Sequence, residues 1–218
     1  YSAKFLNNKL SNLKLLYKAS PDSNESRHYG GSILVTNDHI FFTIGDRGNR
    51  DINPQNISLD GGKVYRLSKD GSVPDSNPFN NNINSKKAIW SYGHRNPQGI
   101  MKGLNSEEIW IHEHGPRGGD EINIIKNPIE GEDGLKDRNY GWPKATYGIN
   151  YSGSEITKNQ KMIDVIDPFY YWTPSIAPSG MAYIDSDIYK NWKNSILVGS
   201  LKFLYLERLE FNKNGVTK

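Results

Sequence analysis

Between Trp90 and Glu121 the sequence reads WSYGHRNPQGIMKGLNSEEIWIHEHGPRGGDE. His94, Arg95, Asn96, Gln98, His112, Glu113, His114, Arg117 and Asp120 fall in this stretch, interleaved with Gly93, Gly99, Gly115, Gly118 and Gly119. Imidazoles can move protons or hold a metal, guanidiniums fork onto anions, and glycines let the backbone turn tightly or approach a ligand. Their density here marks a site. His112 and His114 alternate on an apolar run that reads as a strand, so they share a face and make half of a zinc site. Glu113 falls on the opposite face and no HExxH pattern occurs, which leaves zinc as the minor reading. There is no GxSxG elbow and no GxxxxGK loop, so serine-hydrolase and P-loop chemistry lack their signatures. The absence of cysteine removes thiol catalysis, cysteine zinc sites and disulfides together.

Taken singly, several candidates have ordinary readings. His28 in SRHYGG is a loop residue, Arg95-Asn96-Pro97 a turn with a surface ion pair, Gly115-Pro116 a turn, and Lys202 in SLKF a solvated strand end. Asp46 and Arg47 in GDRG read as an ion pair within a turn.

The elements that position these residues read as strands. The 218 residues suffice for one domain with a sizeable core, and 13 Tyr, 5 Trp, 21 Gly and 11 Pro make an all-β composition. The net charge of +3 comes from 27 basic and 24 acidic residues that are interspersed, so no nucleic-acid face is implied. No apolar run approaches the roughly 20 residues that span a bilayer. AKFL and LKLLYKA read as strands about an Asn7-Asn8 turn, although LSNLKLLYKA also fits a helical spacing. SILVTNDHIFFTIGD is the clearest hairpin, turning at Asn37-Asp38, and GGKVYRLSKDGS repeats the device at Lys69-Asp70-Gly71. HIFFTIGDRG, EIWIHEHGPRG and NSILVGSLKF each run into a glycine-bearing or polar loop and are followed by KVYRL, EINII and LYLERLEF. Strands recurring in this way fit propeller blades, and a β-sandwich fits them nearly as well. Asn53 to Leu59, Asn77 to Lys87 and about Pro128 to Asp137 lack apolar periodicity and are expected as exposed loops.

GHRNPQG at 93 to 99, EHGPRGGDEIN at 113 to 123 and NYGWP at 139 to 143, in that order, resemble the soluble quinoprotein sugar dehydrogenases of the glucose/sorbosone dehydrogenase type, closest to their aldose sugar dehydrogenase branch. The resemblance runs from about Arg27 to the last residues. It implies a single domain over residues 1–218 that is part of a six-bladed β-propeller, with about four blades in this chain and further blades expected on both sides. It also implies the oxidation of an aldose to its lactone with pyrroloquinoline quinone (PQQ) and calcium, and electrons passed to an external acceptor. A periplasmic or extracellular location and a monomer or homodimer would follow. The competing class is a non-enzymatic propeller that binds a carbohydrate or protein partner.

Residue by residue, the resemblance makes His28 the general base. In the glucose branch an acidic residue precedes this histidine, where Arg27 stands here, so Asp120 is the candidate to orient it. Arg95 and Asn96 are placed against the quinone, with His94 and Gln98 as supporting loop residues. His114, Asp120 and Lys202 are implied as cofactor contacts, Lys202 by pairing with a PQQ carboxylate. The backbone carbonyls of Gly115 and Pro116 are implied as calcium ligands, and Glu121 and Tyr140 as neighbours of a second calcium.

Overall fold

The computed structural model describes residues 1–21, 23–104, 108–128, 137–212 and 215–217, and every element among them is a β-strand. β1 (Ser2–Leu6) and β2 (Lys9–Lys14) form a two-stranded hairpin. Three four-stranded antiparallel sheets follow. The first is β3 (Ile33–Val35), β4 (His39–Ile44), β5 (Lys63–Ser68) and β6 (Ile89–Tyr92). The second is β7 (Pro97–Lys102), β8 (Glu108–Glu113), β9 (Asp120–Lys126) and β10 (Tyr170–Trp172). The third is β11 (Pro178–Ile184), β12 (Ser195–Ser200), β13 (Tyr205–Asn212) and β14 (Gly215–Thr217). Within each sheet the spatial order follows the chain order, and the first strands β3, β7 and β11 contact one another in turn.

Local signals explain these boundaries. Asn7 and Asn8 take φ of 50° and 60°, the conformation a tight type I′ hairpin turn needs and asparagine tolerates. Thr36 closes the β3–β4 turn, its backbone N–H and the His39 carbonyl lying 2.9 Å apart. After β5 the chain turns at Gly71, but no strand follows directly, and β6 pairs with β5 only from Ile89. The intervening segment is exposed at Asn81, Ile83, Asn84 and Lys87, as expected, but it is anchored inward at Asn77 and Phe79. Phe79 is buried against Tyr65, Leu67, Ala88 and Ile89, and the Asn77 amide donates to the Arg66 and Lys87 carbonyls. Burying one such ring contributes about 1.5–3 kcal/mol, enough to draw a polar loop inward.

Residues 53 to 59 also fold inward, against expectation. Lys63, fully buried on β5, donates from Nζ to the carbonyls of Asn53 at 2.5 Å and Gly61 at 2.7 Å, and burial pushes its pKa down to about 7. Without those carbonyls the ammonium would be stranded, so the loop is held where it caps the lysine. Of the segment near Pro128 to Asp137, residues 129–136 lie outside the described residues, and Asp137 is exposed.

The sheets pack face to face. Phe41, Val64 and Trp90 of the first meet Ile109, Ile111 and Ile125 of the second, while Trp110, Ile122 and Trp172 of the second meet Ile196, Val198 and Leu209 of the third. A middle strand is therefore covered on both sides, as on β8, where every residue is buried. No helix among the described residues is long and apolar enough to cross a membrane.

Candidate active site

Because strands alternate in direction and order, the start of each sheet's first strand and the end of its second lie at one edge. That edge collects the segments 28–31 and 45–48 from the first sheet, 93–96 and 114–119 from the second, and 173–177 and 201–204 from the third. His28, Asp46, His94, Arg95, Asn96, His114 to Arg117 and Lys202 lie on these segments, while Gln98, His112, Glu113, Asp120, Glu121 and Tyr140 lie outside them.

His28 stands at φ 53°, in the left-handed region, and its carbonyl lies so close to Gly45 that a Cβ there would sit 2.2 Å from the oxygen. Its Nδ1 lies 2.6 Å from Oδ1 of Asp46, which is buried. A carboxylate only accepts, so Nδ1 carries a proton, and in the neutral ring it is Nε2 that keeps the lone pair. Asp46 also accepts from the Gly48 backbone N–H at 2.7 Å and from Trp142 Nε1 at 2.9 Å, which fixes it. The orienting acid is thus Asp46, not Asp120. Asp46 and Arg47 do not pair with each other, since the Arg47 guanidinium bonds the carbonyls of Arg27 and Glu25 and stacks 3.6 Å from the Tyr29 ring centre.

Asp120 has a different task. Its carboxylate accepts from the backbone N–H groups of Gly115, Ile176 and Ala177 at 2.7, 2.7 and 2.8 Å and from the Ser175 hydroxyl at 3.0 Å. It ties the 114–119 loop of one sheet to the 173–177 loop of the next, and its lone pairs are taken up by that bracing.

A second buried network carries Arg95. The Glu113 carboxylate accepts from Arg95 N–H at 2.6 Å and bonds His94 Nδ1 at 2.8 Å, while His94 Nε2 meets Ser91 Oγ at 2.8 Å. His94, wholly buried and stacked on Tyr140, is the support expected of it. The Arg95 guanidinium donates from Nη1 to the carbonyls of His114 at 2.9 Å and Gly115 at 2.8 Å, and the residue lines two of the cavities described below. Asn96 is placed otherwise than expected: it is buried, lines neither cavity described below, and accepts from Gly30 N–H at 3.1 Å through Oδ1. It holds the turn that presents His28.

Two cavities open at this edge. The larger, about 660 Å³, is walled by His114, Gly115, Pro116, Arg117, Tyr147 and Lys202. The smaller, about 250 Å³, is walled by His28, Arg27, Arg50, Arg95, Trp142 and Tyr151, and Pro116 and Tyr151 border both. His114 donates from Nε2 to the Pro178 carbonyl at 2.7 Å, which makes that nitrogen a protonated one, and burial lowers its pKa. Lys202 is exposed, with no carboxylate in ion-pair reach among the described residues.

This donor set fits a flat anion. The large cavity is lined by Lys202 and Arg117 together with Gly115 and Gly118, and it shares Pro116 with the smaller cavity that Arg95 lines. The residues also fit a hard cation at the loop carbonyls. Pro116 O receives only a long 3.4 Å contact from Ser175, and Gly115 O keeps a lone pair beside its bond from Arg95. Glu121 and Tyr140 border a separate small cavity of about 10 Å³ together with Glu113. Burial, then the charge of Glu113, raises the Glu121 carboxyl well above the usual range, and the Tyr140 hydroxyl donates to the Ile124 carbonyl at 2.7 Å.

The zinc reading of His112 and His114 finds no third ligand. No group of three metal-binding side chains occurs among the described residues, and the His112 ring is fully buried, with its pKa pushed down to about 3 by that burial. The residues that sequence reading passed over are Asp46 as orienter, Ser175 as bridge, and Arg50 and Tyr151 as cavity wall. Only the adjacency of GDRG to an apolar strand hinted at the first.

The model of the glucose/sorbosone dehydrogenase family matches residues 2–218. The chain is 36% identical over 213 residues to aldose sugar dehydrogenase YliI of Escherichia coli (strain K12), covering 96% of this chain and 55% of that protein. It is 30% identical to quinoprotein glucose dehydrogenase B of Acinetobacter calcoaceticus, covering 87% of this chain and 41% of the other. Among solved structures, the apo-form of the soluble aldose sugar dehydrogenase from E. coli superposes with a TM-score of 0.88 at 34% identity, over 99% of this chain and 60% of that one. The PQQ-bound aldose sugar dehydrogenase of Streptomyces coelicolor gives 0.69 at 27% identity, over 96% and 52%. The chain spans about half the length of the curated relatives it matches. With this match over nearly every residue, the chain belongs to the glucose/sorbosone dehydrogenase family.

Proposed function

We propose that the protein to which this chain belongs is a PQQ-dependent sugar dehydrogenase built on a six-bladed propeller, of which these three sheets and the β1–β2 hairpin are a section. It oxidises the anomeric hydroxyl of an aldose to the lactone and hands the electrons to an external acceptor outside the cytoplasm. One observation carries the reading. His28, its Nδ1 proton fixed on Asp46, presents a free Nε2 to a cavity of sugar size that adjoins a larger, cation-lined cavity of cofactor size.

The residues take distinct roles. His28 Nε2 accepts the O1 proton as the C1 hydride leaves, which a neutral imidazole of fixed tautomer does well near neutral pH. PQQ, when bound, supplies the carbonyl that takes up the hydride. Arg95 and Lys202 would hold its carboxylates and ring oxygens, and the Gly115 and Pro116 carbonyls would hold a calcium ion against it. Asp120, Asn96, His94 and Glu113 keep these groups in register without touching the substrate.

The test is reconstitution of the full-length protein with PQQ and calcium, following dye reduction with a panel of aldoses. Reduction that needs PQQ, is abolished by chelator and returns with calcium rather than zinc is the expected result. No PQQ-dependent reduction with any sugar would leave a carbohydrate- or protein-binding propeller instead.

A further inference from the structure

The cavity beside His28 carries more positive charge than a neutral sugar requires. Its wall holds the guanidiniums of Arg27, Arg50 and Arg95 against the carboxylates of Asp46 and Asp51. Asp46 is already committed to His28, Gly48 N–H and Trp142. Asp51 lies 3.6 Å from Arg50 Nε, but its side chain is 83% exposed, so water weakens that pair. Arg27 meets Glu25 only at 3.5 Å, with both side chains more than half exposed at 62% and 51%. Arg95 is satisfied by backbone carbonyls, which leave its charge uncancelled.

One of these cations is held in place by a hydrogen bond, and a second packs beside it on the Gly48 turn. Arg50 Nη1 donates to Asn150 Oδ1 at 2.7 Å, a bond across 100 residues of sequence that spans the cavity wall. Arg27 lies over the Gly48 turn so closely that a Cβ on Gly48 would sit 2.6 Å from Nε. Guanidiniums set side by side in one cavity are the arrangement that recognises a carboxylate or phosphate.

We propose that this cavity selects anionic monosaccharides, hexoses carrying an acidic group at C6, with that group taken by Arg27 and Arg50 while the C1 hydroxyl rests on His28. C1 and the C6-bearing C5 flank the ring oxygen, so the hydroxyl and the acidic group fall within one cavity, and about 250 Å³ is of monosaccharide scale. The inference rests on His28 being the base for C1 oxidation, and it adds the charge of the substrate to that reading. The C6 group takes no part in the chemistry. It supplies binding energy that an uncharged hexose lacks.

The experiment uses the full-length holoprotein and compares D-galactose, D-galacturonate and D-galactose 6-phosphate, in turnover and in binding by calorimetry. Galacturonate or the 6-phosphate should exceed galactose in kcat/KM by roughly 10- to 100-fold, the value of one or two hydrogen bonds to a charged group, and added salt should erode only that advantage. Whichever of the two acids wins identifies the anion. Arg27→Gln and Arg50→Gln, both at exposed or half-exposed side chains, should each collapse the acid-to-galactose ratio, and Lys202→Gln should leave the ratio as it was. If nothing is oxidised, the proposed activity falls, yet calorimetry still decides this point, because tighter binding of the acid that is lost in Arg27→Gln supports it. Galactose binding and reacting as well as either acid overturns the proposal, as does an acid preference indifferent to both arginine changes.

Discussion

His28 Nδ1 and Asp46 Oδ1 lie 2.6 Å apart across 18 residues of sequence, one on the loop into β3 and the other on the loop out of β4. The contact sets a tautomer, and a tautomer decides whether an imidazole can act as a base. Removing the ring in His28→Ala should lower turnover by roughly 10²- to 10⁴-fold, the usual contribution of general base catalysis. Asp46→Asn keeps the shape but offers an amide that can donate to Nδ1, which would place the proton on Nε2. Turnover should fall by about 10²-fold or more while PQQ titration still gives the wild-type stoichiometry. Single-turnover reduction of bound PQQ by sugar at the wild-type rate in His28→Ala would remove His28 from the chemistry, and the same result in Asp46→Asn would show that the carboxylate does not set the tautomer.

Asp120 is expected to act on cofactor affinity instead. Its four donors join the 114–119 and 173–177 loops, and Asp120→Ala would leave three backbone N–H groups unpaired, those of Gly115 and Ile176 buried and that of Ala177 partly so. Each such group costs about 1–3 kcal/mol when stranded, so the loops should part and the large cavity lose its shape. The check is a PQQ titration of the full-length variant: a dissociation constant raised at least tenfold, with single-turnover reduction in the saturated complex changed much less. An unchanged affinity would mean the loops are held by other contacts.

Much of this site was readable from residue types because its parts are local: GHRNPQG and EHGPRGG are short segments in which the chemistry and the turn sit side by side. What stayed hidden depends on pairings between distant segments. Asp46 comes to His28 through the register of β4 beside β3, and Asp120 faces Ser175 across two sheets. Nothing in GDRG or GGDE encodes those distances. The inward anchors of the polar loops at 53 to 59 and 77 to 87 are hidden for a related reason. Their burial is set by Lys63 and by Phe79 with Asn77, and one buried ammonium or ring outweighs a run of asparagines in a composition count.

Gly99 and His112 offer a test of packing between strands. A Cβ at Gly99 would lie 2.1 Å from His112 Nε2, and the buried ring has no free space to retreat into. Gly99→Ala should therefore destabilise the protein by about 1–3 kcal/mol, as overpacking does, and thermal unfolding would report it. Adding His112→Ala removes the clash, so the double variant should be more stable than the sum of the single changes predicts. Simple additivity would show that the ring and the glycine do not meet.

Glu121 gives a pH-dependent prediction with a sign that calcium should reverse. Burial and the charge of Glu113 raise its folded pKa well above the ordinary 4.5, so the native state keeps a proton that the unfolded chain has released. Between those two values the unfolded state binds fewer protons, and stability falls as pH rises above about 4.5. In calcium-free buffer at pH 7, Glu121→Gln should then melt higher than the wild type by a few °C, since about 1 kcal/mol moves Tm by roughly 2–4 °C at this length. The difference should vanish at and below about pH 4, where both chains carry a neutral side chain. If the small cavity shared by Glu113, Glu121 and Tyr140 takes calcium, the ion favours the ionised carboxylate, so calcium should raise the Tm of the wild type and not that of Glu121→Gln. Equal calcium shifts in both proteins would place the second ion elsewhere, and a lower melting point for Glu121→Gln without calcium would show that Glu121 is ionised in the native state.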